Sequence, residues 1–227
     1  MIYIISDIHG EYELFIKLLQ KINFSRQDEL ICCGDMIDKG PNSVRLLQFI
    51  KSMPNVKCIM GNHELEFLKY YWGMTQEEVV DFDVVLAKLQ AYFSDGHLLD
   101  WELVDWLEAL PFYVERNNFI CVHAGIPLDD SGAVMPLERV KLEQLVYDRR
   151  FKDPILVPIT NKTVFFGHTP TSYISNESKI IAYRKEGVAI NGINDYYKIH
   201  LDLGVWLHGV LGCFCIETCE EFYVSKY

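Results

Sequence analysis

Short apolar runs alternate with helix-patterned segments through the first third of the chain. Apolar runs at 2–5, 30–33 and 56–60 predict strands buried on both faces, and residues 12–22 and 43–50 carry apolar side chains at helical spacing. This alternation predicts parallel strands joined by helices. Because such sheets bind their ligands at the carboxyl ends of the strands, the residues that follow each strand are the first candidates for a functional site.

Five short segments carry carboxylate, imidazole or amide side chains beside glycine, and most of them follow a predicted strand. They are residues 7–9 (DIH), 34–40 (GDMIDKG), 61–64 (GNHE), 123–125 (HAG) and 167–169 (GHT). On an extended strand end, Asp7 and His9 face the same side, and a single carboxylate such as that of Asp35 is able to bridge two cations. This mixture of ligands suits borderline or hard divalent ions. The pattern predicts a two-metal hydrolase that acts on phosphate esters.

The rest of the chain predicts helices followed by strands. Residues 64–110 are helical, acidic and aromatic in pattern, and residues 112–114 and 119–122 predict a hairpin around Asn117 and Asn118. Residues 135–147 predict a helix. Further strands are predicted at 163–166, 173–174, 180–183, 198–201, 212–216 and 221–224. We predict one domain over residues 1–227, with a helical insertion or cap at about 65–110.

Composition narrows the class of protein. The 227 residues carry a formal net charge of −11, which argues against nucleic acid as a partner. No apolar stretch is long enough to span a membrane, and the N-terminus lacks the basic region of a secretory signal. The seven cysteines include no C-x-x-C pair and predict reduced thiols in a cytoplasmic protein. The histidines without partners at ligand spacing (His97, His200, His208) are expected to be structural or exposed.

The motifs resemble those of the phosphoprotein phosphatases within the calcineurin-like metallophosphoesterase superfamily, above all the compact bacterial and phage serine/threonine phosphatases. That family's GDxHG corresponds to residues 6–10, its GDxVDRG to residues 34–40 and its GNHE to residues 61–64. Ser6, Ile37 and Lys39 depart from the pattern. Further matches are HGG at 123–125, the last ligand histidine at His168 and a D-T-G-like segment at 202–204. The resemblance implies an α/β fold, a four-layer α/β/β/α sandwich of two mixed sheets flanked by helices.

The resemblance also implies roles for individual residues. One metal ion would be held by Asp7, His9 and Asp35, and the other by Asp35, Asn62, His123 and His168. His63 would be the general acid, oriented by Asp38. Phosphate oxygens would be bound by Lys39, Asn62 and Arg149, which matches the family's arginine better than Arg150 does. The implied cofactors are two divalent metal ions, manganese first, with iron, zinc or nickel as alternatives.

Three functional hypotheses follow from these residues. The main one is a metal-dependent phosphatase that hydrolyses phosphoserine or phosphothreonine esters, or a small phosphoester, by direct attack of a metal-bridging hydroxide. Asp38 and residues 167–170 favour it. The alternative is a dinucleoside tetraphosphate hydrolase of the same superfamily, whose G-P-x-S-L resembles residues 40–44, although those enzymes typically lack this aspartate and carry G-H-W at the last motif. The third is a non-catalytic metal-binding scaffold. The presence of all six ligand candidates together with His63 argues against it.

Overall fold

The computed structural model describes residues 1–75, 101–131, 133–156, 158 and 160–227. Within these residues two five-stranded sheets pack face to face, and helices cover their outer faces. The strands are β1 (Ile2–Ile5), β2 (Glu29–Cys32), β3 (Val56–Cys58), β4 (Tyr113–Glu115), β5 (Phe119–Val122), β6 (Thr163–Phe166), β7 (Ile181–Arg184), β8 (Tyr196–His200), β9 (Val210–Cys215) and β10 (Glu221–Ser225). The helices are α1 (Tyr12–Lys21), α2 (Ser43–Lys51), α3 (Asn62–Thr75), α4 (Trp101–Glu108), α5 (Gln144–Tyr147), α6 (Ser172–Ser175) and α7 (Val205–His208).

Both sheets are mixed. The first has the order β10-β9-β1-β2-β3, in which β1, β2 and β3 are parallel and β9 and β10 are antiparallel. The second has the order β4-β5-β6-β8-β7, in which β5, β6 and β8 are parallel. Each sheet therefore has three adjacent parallel strands whose carboxyl ends lie at one edge. The predicted fold class, two mixed sheets flanked by helices, is confirmed.

The central strands are apolar on both faces because both faces are covered. On β1, Ile4 points into the core between the two sheets, where it lies in one cluster with Phe165 and Phe214. Ile5 points the other way and packs in the cluster that holds the first sheet against α1 and α2. Helices α1 and α2 turn their buried leucines toward this cluster. Burial on both sides holds the strand ends rigidly in place.

Several predicted elements form as expected and two do not. The hairpin of β4 and β5 forms, with Glu115 opposite Ile120. The single helix predicted at 135–147 is wrong, because Val140 is extended and separates a 3-10 turn at Leu137–Arg139 from α5. The strand predicted at 173–174 is also wrong. It is the short helix α6, which ends where Asn176 takes a left-handed conformation.

The helical segment predicted at 65–110 is described only at its two ends. Helix α3 continues the GNHE motif, and α4 packs against it through Tyr71 and Trp101, whose ring centroids are 5.9 Å apart. Residues 76–100, including His97, lie outside the described residues. The single domain with a helical insertion or cap stays a prediction.

Two compositional expectations bear on the fold. Among the described helices none has the length and apolar character needed to cross a membrane. All seven cysteines are free thiols, and only Cys219 is not fully buried. They behave as small apolar side chains of the core.

Candidate metal centre

The polar motifs of both sheets meet at the edge where the parallel strands end. Two groups of possible ligands form there, His9 with Asp35 and His63, and Asp35 with His123 and His168. The ligand atoms within each group lie within 4.8 Å of one another. Asp35 belongs to both, since its Oδ2 lies 3.8 Å from His9 Nε2 and its Oδ1 lies 3.4 Å from His123 Nε2. One carboxylate thus faces two clusters, the arrangement that a bridging ligand requires.

Asn62 and Asp7 complete this edge. Asn62 Oδ1 lies 2.7 Å from His168 Nδ1 and 3.0 Å from His123 Nε2. Asp7 is buried but belongs to neither group, and its carboxylate accepts the main-chain N–H of His168 and the hydroxyl of Ser6. All six predicted ligands are therefore buried together at one edge of the sandwich.

The backbone turns sharply at these residues. Asp7, His9, Asp35 and His168 all have positive φ angles of 46–70°. The expectation that Asp7 and His9 share a face because they extend a strand is wrong, since β1 ends at Ile5 and both residues are left-handed. Left-handed backbone costs about 1–3 kcal/mol at a non-glycine residue and persists where the surroundings enforce it. The packed strands enforce it here, and the turns direct the side chains to one point.

Glycine is required where the two sheets meet. A Cβ on Gly167 would lie about 2.0 Å from Ser6 Oγ and 2.1 Å from Asp7 Oδ2. The second sheet therefore approaches the first so closely that only glycine fits between β6 and the carboxylate of Asp7. This close approach brings His168 to the ligands that follow β1 and β2.

Main-chain carbonyls fix the tautomers of two histidines. His9 Nδ1 lies 2.9 Å from the carbonyl oxygen of Ile37, and His123 Nδ1 lies 2.8 Å from that of Cys33. A carbonyl only accepts hydrogen bonds, so each Nδ1 carries the proton. Each Nε2 then offers its lone pair to the site, as expected of a metal-binding histidine.

Burial and charge shift the pKa values of these groups in different directions. Burial raises the pKa of Asp7 to about 7, and it lowers that of His9 to about 4 and that of His168 to about 3. Burial also disfavours charge on His123, but the carboxylates of Asp35 and Asp7 outweigh it and raise the pKa of His123 to about 10. The buried carboxylates thus favour positive charge between them.

The donor set fits divalent cations. His123 Nε2 lies 3.0 Å from Asn62 Oδ1, and the raised pKa of His123 leaves a proton on this nitrogen when no cation is bound. His168 Nδ1 lies 3.2 Å from the same Nε2. A divalent cation would take the place of that proton among the buried carboxylate, amide and imidazole groups, and oxygen with imidazole nitrogen is a set that manganese, iron, zinc and nickel accept.

His63 and Asp38 form an ion pair at the outer side of the site. His63 Nδ1 lies 2.8 Å from Asp38 Oδ2, and His63 Nε2 lies 3.7 Å from Asp35 Oδ2. Burial opposes the charge on His63, but Asp38 and Asp35 outweigh it and raise the pKa of His63. The ring is directed at the ligands while it keeps a partly open face.

Two basic residues lie beside different ligand groups. Lys39 Nζ lies 3.5 Å from His9 Nε2, and Arg149 Nη1 lies 3.4 Å from the hydroxyl of Thr169, next to the last histidine. Arg150 is instead held by Asp148, with Nη2 2.6 Å from Oδ2, and its side chain is 76% exposed. The structure therefore brings Lys39 and Arg149 to the site and leaves Arg150 outside it.

Two buried carboxylates were missed as functional residues. Glu64, in the first turn of α3, is fully buried and accepts main-chain N–H groups from Asp35, Met36, Ile37 and Gly61. Asp202, two residues after β8, is buried and accepts the N–H of Gly204. The GNHE motif contained the signal for Glu64, since a carboxylate one turn into a helix can reach back to neighbouring loops.

The remaining histidines have structural positions. His200 is fully buried and stacks on Phe166 with ring centroids 4.3 Å apart. His208 is exposed, and its Nε2 lies 2.9 Å from Ser172 Oγ. The expectation that these two are structural or exposed agrees with their positions.

The sequence matches the family model of the calcineurin-like phosphoesterases over residues 1–201. The chain belongs to this family. The phosphoesterase is therefore an enzyme of the metallophosphoesterase superfamily, and the family together with the clustered histidine and aspartate side chains supports divalent metal cofactors.

Relatives of this phosphoesterase are named for a more specific activity than the family is. The phosphoesterase is 38% identical over 187 residues to a symmetrical bis(5'-nucleosyl)-tetraphosphatase of Haemophilus ducreyi, covering 80% of this chain and 63% of that one. The identity to the protein of the same name from Pasteurella multocida is 36% over 132 residues, covering 56% and 45%. The chain thus spans less than two thirds of the length of these relatives. A crystal structure provisionally assigned as a diadenosine tetraphosphatase has the same fold, with a TM-score of 0.71, 18% identity and coverage of 100% and 93%.

These relatives correct the main functional prediction. Hydrolysis of phosphoserine and phosphothreonine esters is wrong as the main reading, because the named relatives are tetraphosphatases and not protein phosphatases. The resemblance holds at the level of the superfamily only. Asp38 and residues 167–170 favoured the protein phosphatases, but Asp38 contacts His63 and residues 167–170 include His168 of one ligand group, so neither position identifies a substrate.

Proposed function

We propose that the phosphoesterase hydrolyses dinucleoside tetraphosphates at the central anhydride, producing two nucleoside diphosphates. The observation that carries the proposal is the 38% identity over 187 residues to a symmetrical bis(5'-nucleosyl)-tetraphosphatase. Because the chain spans only 63% of that relative, the activity of the whole relative does not transfer by identity alone.

The flanking charges support a substrate with phosphates on both sides of the reacting phosphorus. Lys39 lies beside His9 in one ligand group, and Arg149 lies beside Thr169 and the other group. A phosphomonoester presents one phosphate, for which one flank suffices. A tetraphosphate extends in both directions from its centre, so that Lys39 and Arg149 would each bind one side, with Asn62 directed at the reacting phosphate.

The proposed metal ligands are the two sets that share Asp35. Asp7, His9 and Asp35 would hold one divalent ion, and Asp35, Asn62, His123 and His168 would hold the other. When bound, such a pair lowers the pKa of a water molecule and neutralises charge on the phosphate oxygens. Manganese is the first candidate, and iron, zinc and nickel fit the same ligands. The protein contributes fixed orientation, because the ligands are buried and braced by main-chain hydrogen bonds.

His63 is the proposed proton donor to the departing oxygen. The neighbouring carboxylate of Asp38 orients the ring through Nδ1 and keeps it protonated, which leaves Nε2 to face the substrate. A nucleoside diphosphate leaves more easily than an alkoxide does, so an anhydride needs this proton less than an alkyl ester needs it. With His63 as proton donor, the same site would also hydrolyse simpler phosphoesters, whose leaving groups need the proton more.

The cellular setting follows from charge and thiols. A dinucleoside tetraphosphate is a small anion, and hydrolysing it requires neither nucleic acid nor a membrane as a partner. The net charge of −11 also argues against binding to nucleic acid. Seven free thiols fit a reducing compartment such as the cytoplasm.

Substrate comparison tests the proposal. Manganese-loaded enzyme is given diadenosine tetraphosphate or a phosphothreonine peptide, and the products are separated by anion-exchange chromatography. We expect ADP as the only nucleotide product and a much higher kcat/KM for the tetraphosphate. ATP together with AMP would contradict central cleavage, and faster turnover of the peptide would overturn the proposal. The Asp35→Asn variant, prepared in parallel, controls for contaminating activity.

A further inference from the structure

A tryptophan lies exposed beside the proposed phosphate-binding lysine. Trp206 is on α7 and remains 43% exposed. The ammonium of Lys39 lies 4.9 Å from the centroid of its indole ring, and the same ammonium lies 3.5 Å from His9 Nε2. One lysine therefore connects the indole to the metal centre, and anything bound to Lys39 is within reach of Trp206.

The fold fixes the place of this indole. Helix α7 lies between Gly204 and Gly209, which both have left-handed backbone, and Val205 anchors it in the core. A Cβ on Gly204 would contact Pro170 at 3.2 Å, so the turn packs against the segment that follows His168. Trp206 is thus held at the edge of the site by the packing of this turn against Pro170, two residues after His168.

Two more exposed side chains with apolar surface lie on the helices next to the indole. Leu207 and Tyr173 are 40% and 63% exposed, and the two helices that carry them are joined by the contact of His208 with Ser172. The ligand groups of the metal centre are polar, so an apolar part of the substrate would bind at this rim and not among the ligands.

We infer that Trp206 is the stacking platform for one purine base of the nucleotide substrate. The inference rests on the proposed function and names the part of the site that selects nucleotides. In a nucleotide the base follows the phosphates after one ribose, so a phosphate at Lys39 delivers its base to the rim where Trp206 lies. Stacking on an aromatic ring is favourable for every base, and the cation at the ring adds electrostatic attraction to the phosphates.

Substrates with and without a base test the inference. Trp206→Ala is compared with wild type on diadenosine tetraphosphate and on p-nitrophenyl phosphate. We expect kcat/KM for the tetraphosphate to fall roughly 10-fold more than kcat/KM for the aryl phosphate, as loss of one stacked base predicts. Trp206→Phe should retain most of the activity, because a ring remains. In Trp206→Ala, kcat/KM should fall less for diuridine tetraphosphate than for diadenosine tetraphosphate.

Trp101→Ala is the matched control. Trp101 is also exposed, at 64%, but its ring contact is with Tyr71, nine residues along α3 from Asn62. We expect it to leave both activities unchanged. An equal loss on both substrates in Trp206→Ala would assign the indole to holding Lys39 and overturn the inference, as would no loss at all.

Binding of the product separates this inference from the proposed function. Calorimetry on manganese-loaded enzyme measures the affinity for ADP and for inorganic pyrophosphate. We expect wild type to bind ADP more tightly and Trp206→Ala to lose that preference. If wild type binds both equally, the inference fails even where ADP is the sole product of tetraphosphate hydrolysis. If the tetraphosphate is not hydrolysed but the ADP preference is present and depends on Trp206, the proposed function fails and the platform stands.

Discussion

The buried carboxylate of Glu64 accepts the main-chain N–H of Asp35 at 2.9 Å. The same carboxylate accepts the N–H groups of Met36 and Ile37, at 2.7 and 3.1 Å, and that of Gly61 at 3.0 Å. It therefore joins the loop after β2 to the loop after β3. The position of Asp35 between the two ligand groups therefore depends on hydrogen bonds from its loop to Glu64, which belongs to neither group.

Removing Glu64 should cost stability and metal binding together. Glu64→Ala leaves four buried N–H groups without an acceptor, and we expect the free energy of unfolding to fall by about 4 kcal/mol, since each unsatisfied group costs about 1–3 kcal/mol and the loop relaxes in part. Urea denaturation measures this loss. Glu186→Ala, a change at an exposed glutamate in the turn after β7, should alter the free energy by less than about 0.5 kcal/mol. Equal effects in the two variants would contradict the bracing role.

Asp35→Asn should empty both metal positions. The amide keeps the shape of the carboxylate but lacks its charge, and the groups around it would then have no shared anion. We expect the metal content, measured by mass spectrometry after dialysis, to fall well below that of wild type, and kcat/KM to fall by at least about 100-fold. Asp130→Asn changes an exposed carboxylate and should change neither quantity. Loss of half the metal only would indicate that Asp35 serves one ion.

The sequence predicts the location of this site because strand ends are easy to recognise. Runs such as 164–166 are apolar throughout, and the glycine that follows this run marks where the chain leaves the sheet. Parallel strands of one sheet place their carboxyl ends at the same edge, and this does not depend on how their side chains pack. This rule was enough to predict where the candidate ligands lie. The backbone conformation was not predicted, since Asp7 and His9 are left-handed where an extended backbone was expected.

Other features depend on contacts between distant parts of the chain. Glu64 looks like any acidic residue in a first helical turn until β2 and β3 are seen side by side. Trp206 is separated from Lys39 by more than 160 residues, and no local sequence pattern predicts their contact. Substrate choice is of this second kind, which explains why the motifs predicted the metal chemistry and assigned the wrong substrate class.

Proton donation by His63 should depend on the leaving group. His63→Asn keeps a hydrogen-bonding side chain but removes the titratable ring, and general acid catalysis is worth about 10²–10⁴-fold. We expect a loss of about 100-fold in kcat on phenyl phosphate and a clearly smaller loss on p-nitrophenyl phosphate, whose phenolate leaves without help. Asp38→Asn should show the same order of effects with smaller losses. Equal losses on both esters would place His63 among the metal ligands instead.

Adjacent arginines provide a matched pair for phosphate binding. Arg149 reaches toward Thr169, whereas the guanidinium of Arg150 is held by Asp148 at 2.6 Å. Arg149→Ala should raise KM for diadenosine tetraphosphate and lower kcat/KM by about 30-fold, or about 2 kcal/mol, as expected for a lost hydrogen bond to a charged group. Arg150→Ala should lower it by less than 3-fold, on the order of a surface ion pair. The reverse ranking would move the phosphate contact by one residue.

Lys198 is buried away from the metal centre and should give stability a pH dependence. Its ammonium donates to the carbonyl oxygens of Phe151 and Asp153, both at 2.7 Å, and lies over the ring of Tyr183. Burial lowers the pKa of Lys198 to about 8, against the opposing charge of Asp153. The folded protein therefore releases this proton at lower pH than the unfolded chain does.

The sign of the effect follows from proton binding. Above pH 8 the unfolded chain still carries the proton that the folded protein has lost, so the free energy of unfolding contributed by Lys198 rises with pH up to the ordinary pKa of lysine, about 10.4. Between pH 7 and pH 10 we expect wild type to gain about 2 kcal/mol relative to Lys198→Met, which has no group to titrate. Urea denaturation of both proteins across this range measures the difference, and subtracting the variant removes the contributions of other groups. A difference that stays constant with pH would show that Lys198 keeps its proton in the folded protein, held by the two carbonyl oxygens.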